Sequence, residues 1–263
     1  MTVGQTSLHF ADFIPADLSL PIVLAIVATA FASGLGRGFS GFGSALIFMP
    51  LASAMIGAKA ASPLMLIIEM IAAIGLVPSA ARIANRREVA LMTVGSLIGI
   101  PLGAWFLLHA DPLTVRWLIV ALIVPLLALM MAGWRYPYPP TAPLTAIVGA
   151  VAGFFGGVAQ VSGPPIVMYW LRDATTPAVI RASVILYFAV SDLIILASYL
   201  FGGLFTLQIV GLAVITGPVF GVGLWIGAHM FGFASETSFR RICYAMIAAS
   251  ALISLPLFDG WLR

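Results

Sequence analysis

Charge is scarce in this chain. Only 8% of its 263 residues are Asp, Glu, Lys or Arg, against about a quarter in an ordinary globular domain. A chain so poor in charge, with 62% hydrophobic residues, is solvated by lipid rather than water. Cysteine is scarcer still: the single Cys243 excludes an internal disulfide. The three histidines are scattered and lack metal-site spacing, so no metal and no cofactor is expected. A net charge of +3, thinly spread, excludes a nucleic-acid surface. Residues 1–19 hold no Lys or Arg, so the positive start of a cleavable signal peptide is missing.

What the chain does hold is apolar sequence. A spanning helix needs about 20 mostly apolar residues, and about seven or eight runs approach that length. They cover nearly the whole chain, which predicts an all-α polytopic membrane protein with 1–263 as a single integral membrane domain. In the first half the runs are Leu20 to about Leu35, Ala45 to Ile56, Leu64 to Ala81, Val89 to Leu108 and Thr114 to Met131. In the second they are Ala142 to Phe155, Ile166 to Leu171, Val184 to Leu200, Thr206 to Phe231 and Ile242 to Leu257. Trp134, Tyr136 and Tyr138 sit among prolines, as an interfacial belt would.

Two stretches interrupt this pattern. The first is Gly34-Leu35-Gly36-Arg37-Gly38-Phe39-Ser40-Gly41-Phe42-Gly43-Ser44, and the second is Gly153-Phe154-Phe155-Gly156-Gly157 followed by Gln160-Val161-Ser162-Gly163-Pro164-Pro165. The glycine density of the first is expected to unwind a helix, and Pro164-Pro165 cannot sit in a helix interior. Gly34 aligns with Gly153, Gly38 with Gly157, and Gly99 and Gly103 with Gly223 and Gly227. This predicts two homologous repeats, about 20–134 and 142–257, each opening with a Gly/Pro-broken or re-entrant helix followed by three transmembrane helices. Charge orients them. If the interrupted segments re-enter, Arg82, Arg86, Arg87, Arg135, Arg172, Arg181, Arg240 and Arg241 share one side, opposite Lys59, Arg116 and Arg263. The positive-inside rule prefers that division, which makes the repeats inverted. Eight simple crossings are the alternative.

The paired motifs resemble the TauE/SafE family, the sulfite exporter family of membrane transporters. The residues that carry the likeness are Gly34, Gly36, Gly38, Gly41 and Gly43 with Pro50, and Gly153, Gly156 and Gly157 with Ser162-Gly163-Pro164-Pro165. The resemblance spans roughly Leu20 to Leu257. It implies a secondary transporter of the bacterial inner membrane for small anions, often sulfur-containing ones such as sulfite, sulfonates or sulfoacetate. Arg37 and Phe39 stand where many relatives carry small or aliphatic residues.

A broken membrane helix exposes N–H groups at a half-helix N-terminus, where the dipole attracts an anion. The two breaks are therefore expected to face each other, with Gly38, Ser40, Gly41, Gly43, Ser44, Gln160, Ser162, Gly163 and Pro164 around the anion. Returning half-helices should begin at Ser44 and Ser162. Arg37 can grip a sulfonate or carboxylate with parallel hydrogen bonds; capping carbonyls or snorkelling is its plainer role. Glu69 and Asp192 lie mid-run and are candidates for coupling to H⁺ or Na⁺; a structural pair with Arg37 or Arg181 is the competing role. Tyr187 and Ser191 are weaker candidates for the same cavity. The partners expected are the anion, a coupling ion and the bilayer, with no nucleic acid; an oligomer is left open. An anion channel is one rival. Another is a serine protease, since Gly38-Phe39-Ser40-Gly41 reads like the nucleophile site of rhomboid proteases with His229 as base. Against that stands Ala159 at the matching place in the second break.

Overall fold

The structure is a computed structural model that describes residues 18–40, 43–133, 141–170, 176–229 and 236–258. Among these residues the fold is all-helical. The first half contains α1 (Leu20–Ser40), α2 (Ser44–Ile56), α3 (Ala58–Ala73), α4 (Val77–Ile83), α5 (Arg86–His109) and α6 (Pro112–Met131). The second contains α7 (Ala142–Ala159), α8 (Gly163–Trp170), α9 (Pro177–Phe201), α10 (Leu207–His229) and α11 (Glu236–Ile253), closed by a 3₁₀ turn at Pro256–Phe258. The belt residues Trp134, Tyr136 and Tyr138, and Arg135, Arg172 and Arg263 of the charge count, lie outside the described residues, as do the side chains of Arg240 and Arg241.

Six helices, α1, α5, α6, α7, α9 and α10, are long and apolar enough to cross a membrane. At 1.5 Å per residue, α2 and α8 reach only about 20 and 12 Å of a core about 30 Å thick. The first arm of each interrupted segment is thus longer than a half-helix, and the returning arm shorter than a span. The predicted run Leu64 to Ala81 is not one straight helix: α3 and α4 meet at 73° across Ile74–Leu76. Gly75 weakens the helix there, and Pro78, in the first turn of α4, suits a new start. Outward faces carry exposed apolar side chains such as Ile98, Trp105, Val214 and Trp225, which water would penalise and lipid accepts.

Helix starts follow ordinary capping. Asn85 accepts a hydrogen bond from the Glu88 N–H at 3.3 Å and begins α5. Asp111 accepts from the N–H groups of Leu113 (2.9 Å) and Thr114 (3.0 Å), with Pro112 at the first helical position of α6. Hydrogen bonds from the Thr114 hydroxyl and these two amides hold the exposed Asp111 carboxyl below its ordinary value of 3.8.

The glycines organise the packing. α1 lies against α10, and α5 against α7. A methyl group at Gly34 or Gly38 would fall 2.3 Å from the Phe220 carbonyl or 2.2 Å from that of Leu224. In return, a methyl at Gly223 or Gly227 would fall 2.4 Å from the carbonyl of Phe31 or of Leu35. In the other pair, a methyl at Gly99 or Gly103 would fall 2.0 or 2.1 Å from the carbonyl of Ala150 or Phe154, and one at Gly157 2.3 Å from that of Ile100. Backbones this close are what small residues permit between membrane helices. This corrects the expectation that the first glycine stretch unwinds. Gly34, Gly36 and Gly38 are helical, because close packing on α10 and on Ile47 compensates for glycine's backbone freedom. α1 continues to Ser40, and α2 begins at Ser44.

Candidate functional site

Arg37 lies in the last turn of α1, where the negative end of the helix dipole favours a cation. Its Nη1 stands 2.5 Å from Glu69 Oε1 of α3. The Ser44 hydroxyl, at the first residue of α2, donates to the same carboxylate oxygen and accepts a long contact, 3.5 Å, from Arg37. Arg37 is 8% exposed and Glu69 6%, so the pair is buried. The Arg37 guanidinium also lies 6.0 Å from the centre of the Phe188 ring on α9, within cation–π range.

These groups line one small cavity of about 20 Å³, measured for the centre of a water molecule. That is room for about one water. Gly43 and Ser44 border it from the first break, Gln160, Ser162, Gly163 and Pro164 from the second, and Asp192 from α9. The first turns of α2 and α8 therefore open onto the same space. α2 begins at Ser44, as expected, and α8 at Gly163, one residue after Ser162.

Gln160 is the unusual residue of the site. It ends α7 with φ of 60°, the left-handed region, and is the only described non-glycine residue there. Glycine is the ordinary choice at such a cap, and a larger residue costs about 1–2 kcal/mol. Its side chain is buried, lines the cavity, and leaves Nε2 without a hydrogen-bond partner. Asp192 Oδ2 is likewise buried without one. Ser162 has its own recess: a methyl at Gly156 would collide with its hydroxyl at 2.3 Å. The last carbonyls of α7 have no partner within the helix. Tyr199 supplies one to Gly157 at 2.8 Å and Ser62 one to Val158 at 3.2 Å.

Nine predicted residues thus meet: Arg37, Gly43, Ser44, Glu69, Gln160, Ser162, Gly163, Pro164 and Asp192. Gly38 does not join them, because its face is taken by α10. Gly41 and the side chain of Ser40 lie outside the described residues. The structural pairing weighed for Glu69 is present, with Arg37; Arg181 is exposed. Tyr187 turns away from the cavity and bonds the Ser96 hydroxyl at 2.7 Å, and Ser191 does not line the cavity either. His229 is exposed, with Nδ1 on its own helix at Trp225 O. Phe188, Ser62 and Tyr199 were missed as parts of the site. The polar Tyr199 within an apolar run was the available signal; Ser62 falls between two runs, and Phe188 gave none beyond its spacing from Asp192.

A family model described as Sulfite exporter TauE/SafE matches residues 26–253. The relative named "Probable sulfite/organosulfonate exporter TauE" from Cupriavidus necator is 25% identical over 263 residues, covering 94% of this chain and 98% of that protein. No solved structure matches.

Proposed function

The chain belongs to the sulfite exporter TauE/SafE family, and on that premise we propose that it is a secondary transporter of a small sulfur-containing anion such as sulfite, a sulfonate or sulfoacetate. Its family consists of exporters, which sets the protease reading aside. The relative's name, an exporter of sulfite or organosulfonates, supports the substrate class. The bacterial inner membrane is the proposed location.

The observation that carries the site is the Arg37 guanidinium, buried beside an unpartnered Gln160 amide in a cavity bordered by two helix starts. A guanidinium and neutral N–H donors converging on a small enclosed space suit an oxyanion. We place the anion among Arg37, Gly43, Ser44, Gln160, Ser162, Gly163 and Pro164. Glu69 and Asp192 are the groups proposed to couple transport to H⁺ or Na⁺. The family's description as exporters supports a carrier over a channel. We read 1–263 as one transport domain of two inverted repeats, 20–134 and 142–257. The exchange of glycine contacts supports this: Gly34 meets Phe220 as Gly153 meets Ser96, and Gly223 meets Phe31 as Gly99 meets Ala150.

The test is a panel of sulfite, sulfonates and carboxylates assayed for thermal stabilisation of the purified protein, then for uptake into liposomes. An anion at 100 times its dissociation constant adds about 2.7 kcal/mol of stability. A small sulfur oxyanion is expected to give the largest shift, Arg37→Ala to lose it, and liposomes to accumulate the anion against its gradient. A shift unchanged in Arg37→Ala removes Arg37 from the site, and downhill flux alone makes the protein a channel.

A further inference from the structure

We propose that Glu69 is a resident stand-in for the transported anion: it holds Arg37 while the cavity is empty, and the anion replaces it there as Glu69 takes up a proton from water. This rests on the anion site proposed above and adds to it a fixed stoichiometry.

The geometry leads there by space and by charge. A sulfonate group does not fit a cavity with room for about one water. Arg37 makes its one ion pair with Glu69, so the guanidinium an anion needs is already occupied by a carboxylate. The departure of that carboxylate opens both the volume and the cation. Once displaced, Glu69 would be a buried charge without a partner, facing a second negative group, and such a group neutralises. Before exchange the pair is guanidinium and carboxylate. Afterwards it is guanidinium and bound anion, beside a neutral carboxylic acid. The net charge of the cavity is the same in both states, and one proton has entered with one monovalent anion. Ser44 allows the change without a new contact. Its hydroxyl now donates to the Glu69 carboxylate, and a hydroxyl can equally accept from a protonated carboxyl.

The other ionisable groups do not take this role. Asp192 on α9 faces the same cavity but forms no ion pair with Arg37 for an anion to break. The remaining helices packed on α3, namely α2, α5, α6, α7 and α10, bring no ionisable side chain to the cavity. Tyr199 of α9 is committed to the Gly157 carbonyl. Asp111 titrates only in acid, outside the cavity.

The experiment is calorimetric titration of the purified full-length protein with methanesulfonate, whose charge does not change with pH. It is run around neutral pH in buffers of different protonation enthalpy. The wild type is expected to take up one proton per anion bound, with affinity falling about tenfold for each unit rise in pH. Glu69→Gln is expected to bind without proton uptake and with affinity flat in pH. Asp192→Asn is expected to keep the single proton, whatever its affinity. Wild-type binding with no proton uptake overturns the exchange but leaves the anion site standing, and that measurement needs no variant. Proton uptake that persists in Glu69→Gln also overturns it. If neither wild type nor Glu69→Gln binds methanesulfonate, the sulfonate site itself falls, and this inference with it.

Discussion

The two helix breaks sit on matching scaffolds and do different chemistry. At the first, Gly43 takes the left-handed conformation with φ of 100°, and the charge comes from Arg37 one turn before the break. At the second, Gln160 takes that conformation, at a cost in strain, and no charged residue is nearby in the chain. The helix starts differ too. α2 begins Ser44-Ala45-Leu46, which keeps its N–H groups, whereas α8 begins Gly163-Pro164-Pro165, in which two N–H groups are missing. The second break replaces those donors with side chains, the Gln160 amide and the Ser162 hydroxyl. The two breaks therefore share a left-handed turn before a short helix, and Arg37 sets the first apart from the second.

The sharpest way to test that asymmetry is to remove the charge. Arg37→Ala is expected to abolish anion flux in liposomes and to cost about 3–5 kcal/mol, because Glu69 is left buried and unpaired. Arg37→Gln combined with Glu69→Gln should restore the melting temperature towards wild type without restoring flux. A double variant that still transports would mean that the second break suffices. The scaffold's symmetry is tested next. Gly34→Val and Gly99→Val should each cost about 1–3 kcal/mol in denaturation, since even a methyl meets a carbonyl at 2.3 and 2.0 Å. Gly217→Ala, with nothing within 4 Å, should be near neutral. If only one of the two valine variants unfolds early, the helix pairs are not equivalent.

A smaller effect separates the caps. Gln160→Gly should stabilise the protein by up to about 1 kcal/mol by relieving the left-handed strain, yet weaken anion binding. Gly43→Ala should lose a similar amount. A Gln160→Gly variant that keeps full affinity would make the glutamine an accident of the second break. The smallest effect lies outside both breaks, at Asp111. Its carboxyl is held below 3.8 in the folded protein, so the cap is fully present above the unfolded value and fades as pH falls through the folded one. Melting curves should show a small acid-side loss below about pH 4, absent in Asp111→Asn.

The breaks were readable from the sequence because glycine and proline act locally. Ser44 and Gly163 begin helices where the preceding residues deny one. The intramembrane charges were also readable, since Arg37, Glu69 and Asp192 have little reason to be in lipid unless something faces them. What could not be read was the partner of each glycine face. Gly34 and Gly38 looked like helix breakers because, alone, they are; only a backbone from α10, far along the chain, makes them good helix residues. The same limit left the partner of Glu69 open between Arg37 and Arg181, since the choice depends on how α3 lies beside α1. The bend at Gly75 was missed for another reason: an apolar run carries no mark where it turns unless Gly and Pro are weighed together.

The glycine pairing also sets an order of assembly. α1 finds its closest neighbour in α10, which begins at Leu207, whereas α5 meets α7 almost as soon as both are made. During synthesis the α5–α7 pair can close early. The glycine face of α1 has its partner helix only once α10 has been made. Neither half of the chain contains both members of a pair, so cutting between α6 and α7 leaves two fragments that must each find the other. The exchange of helices between the two halves makes them one folding unit, and neither half closes its own glycine seam.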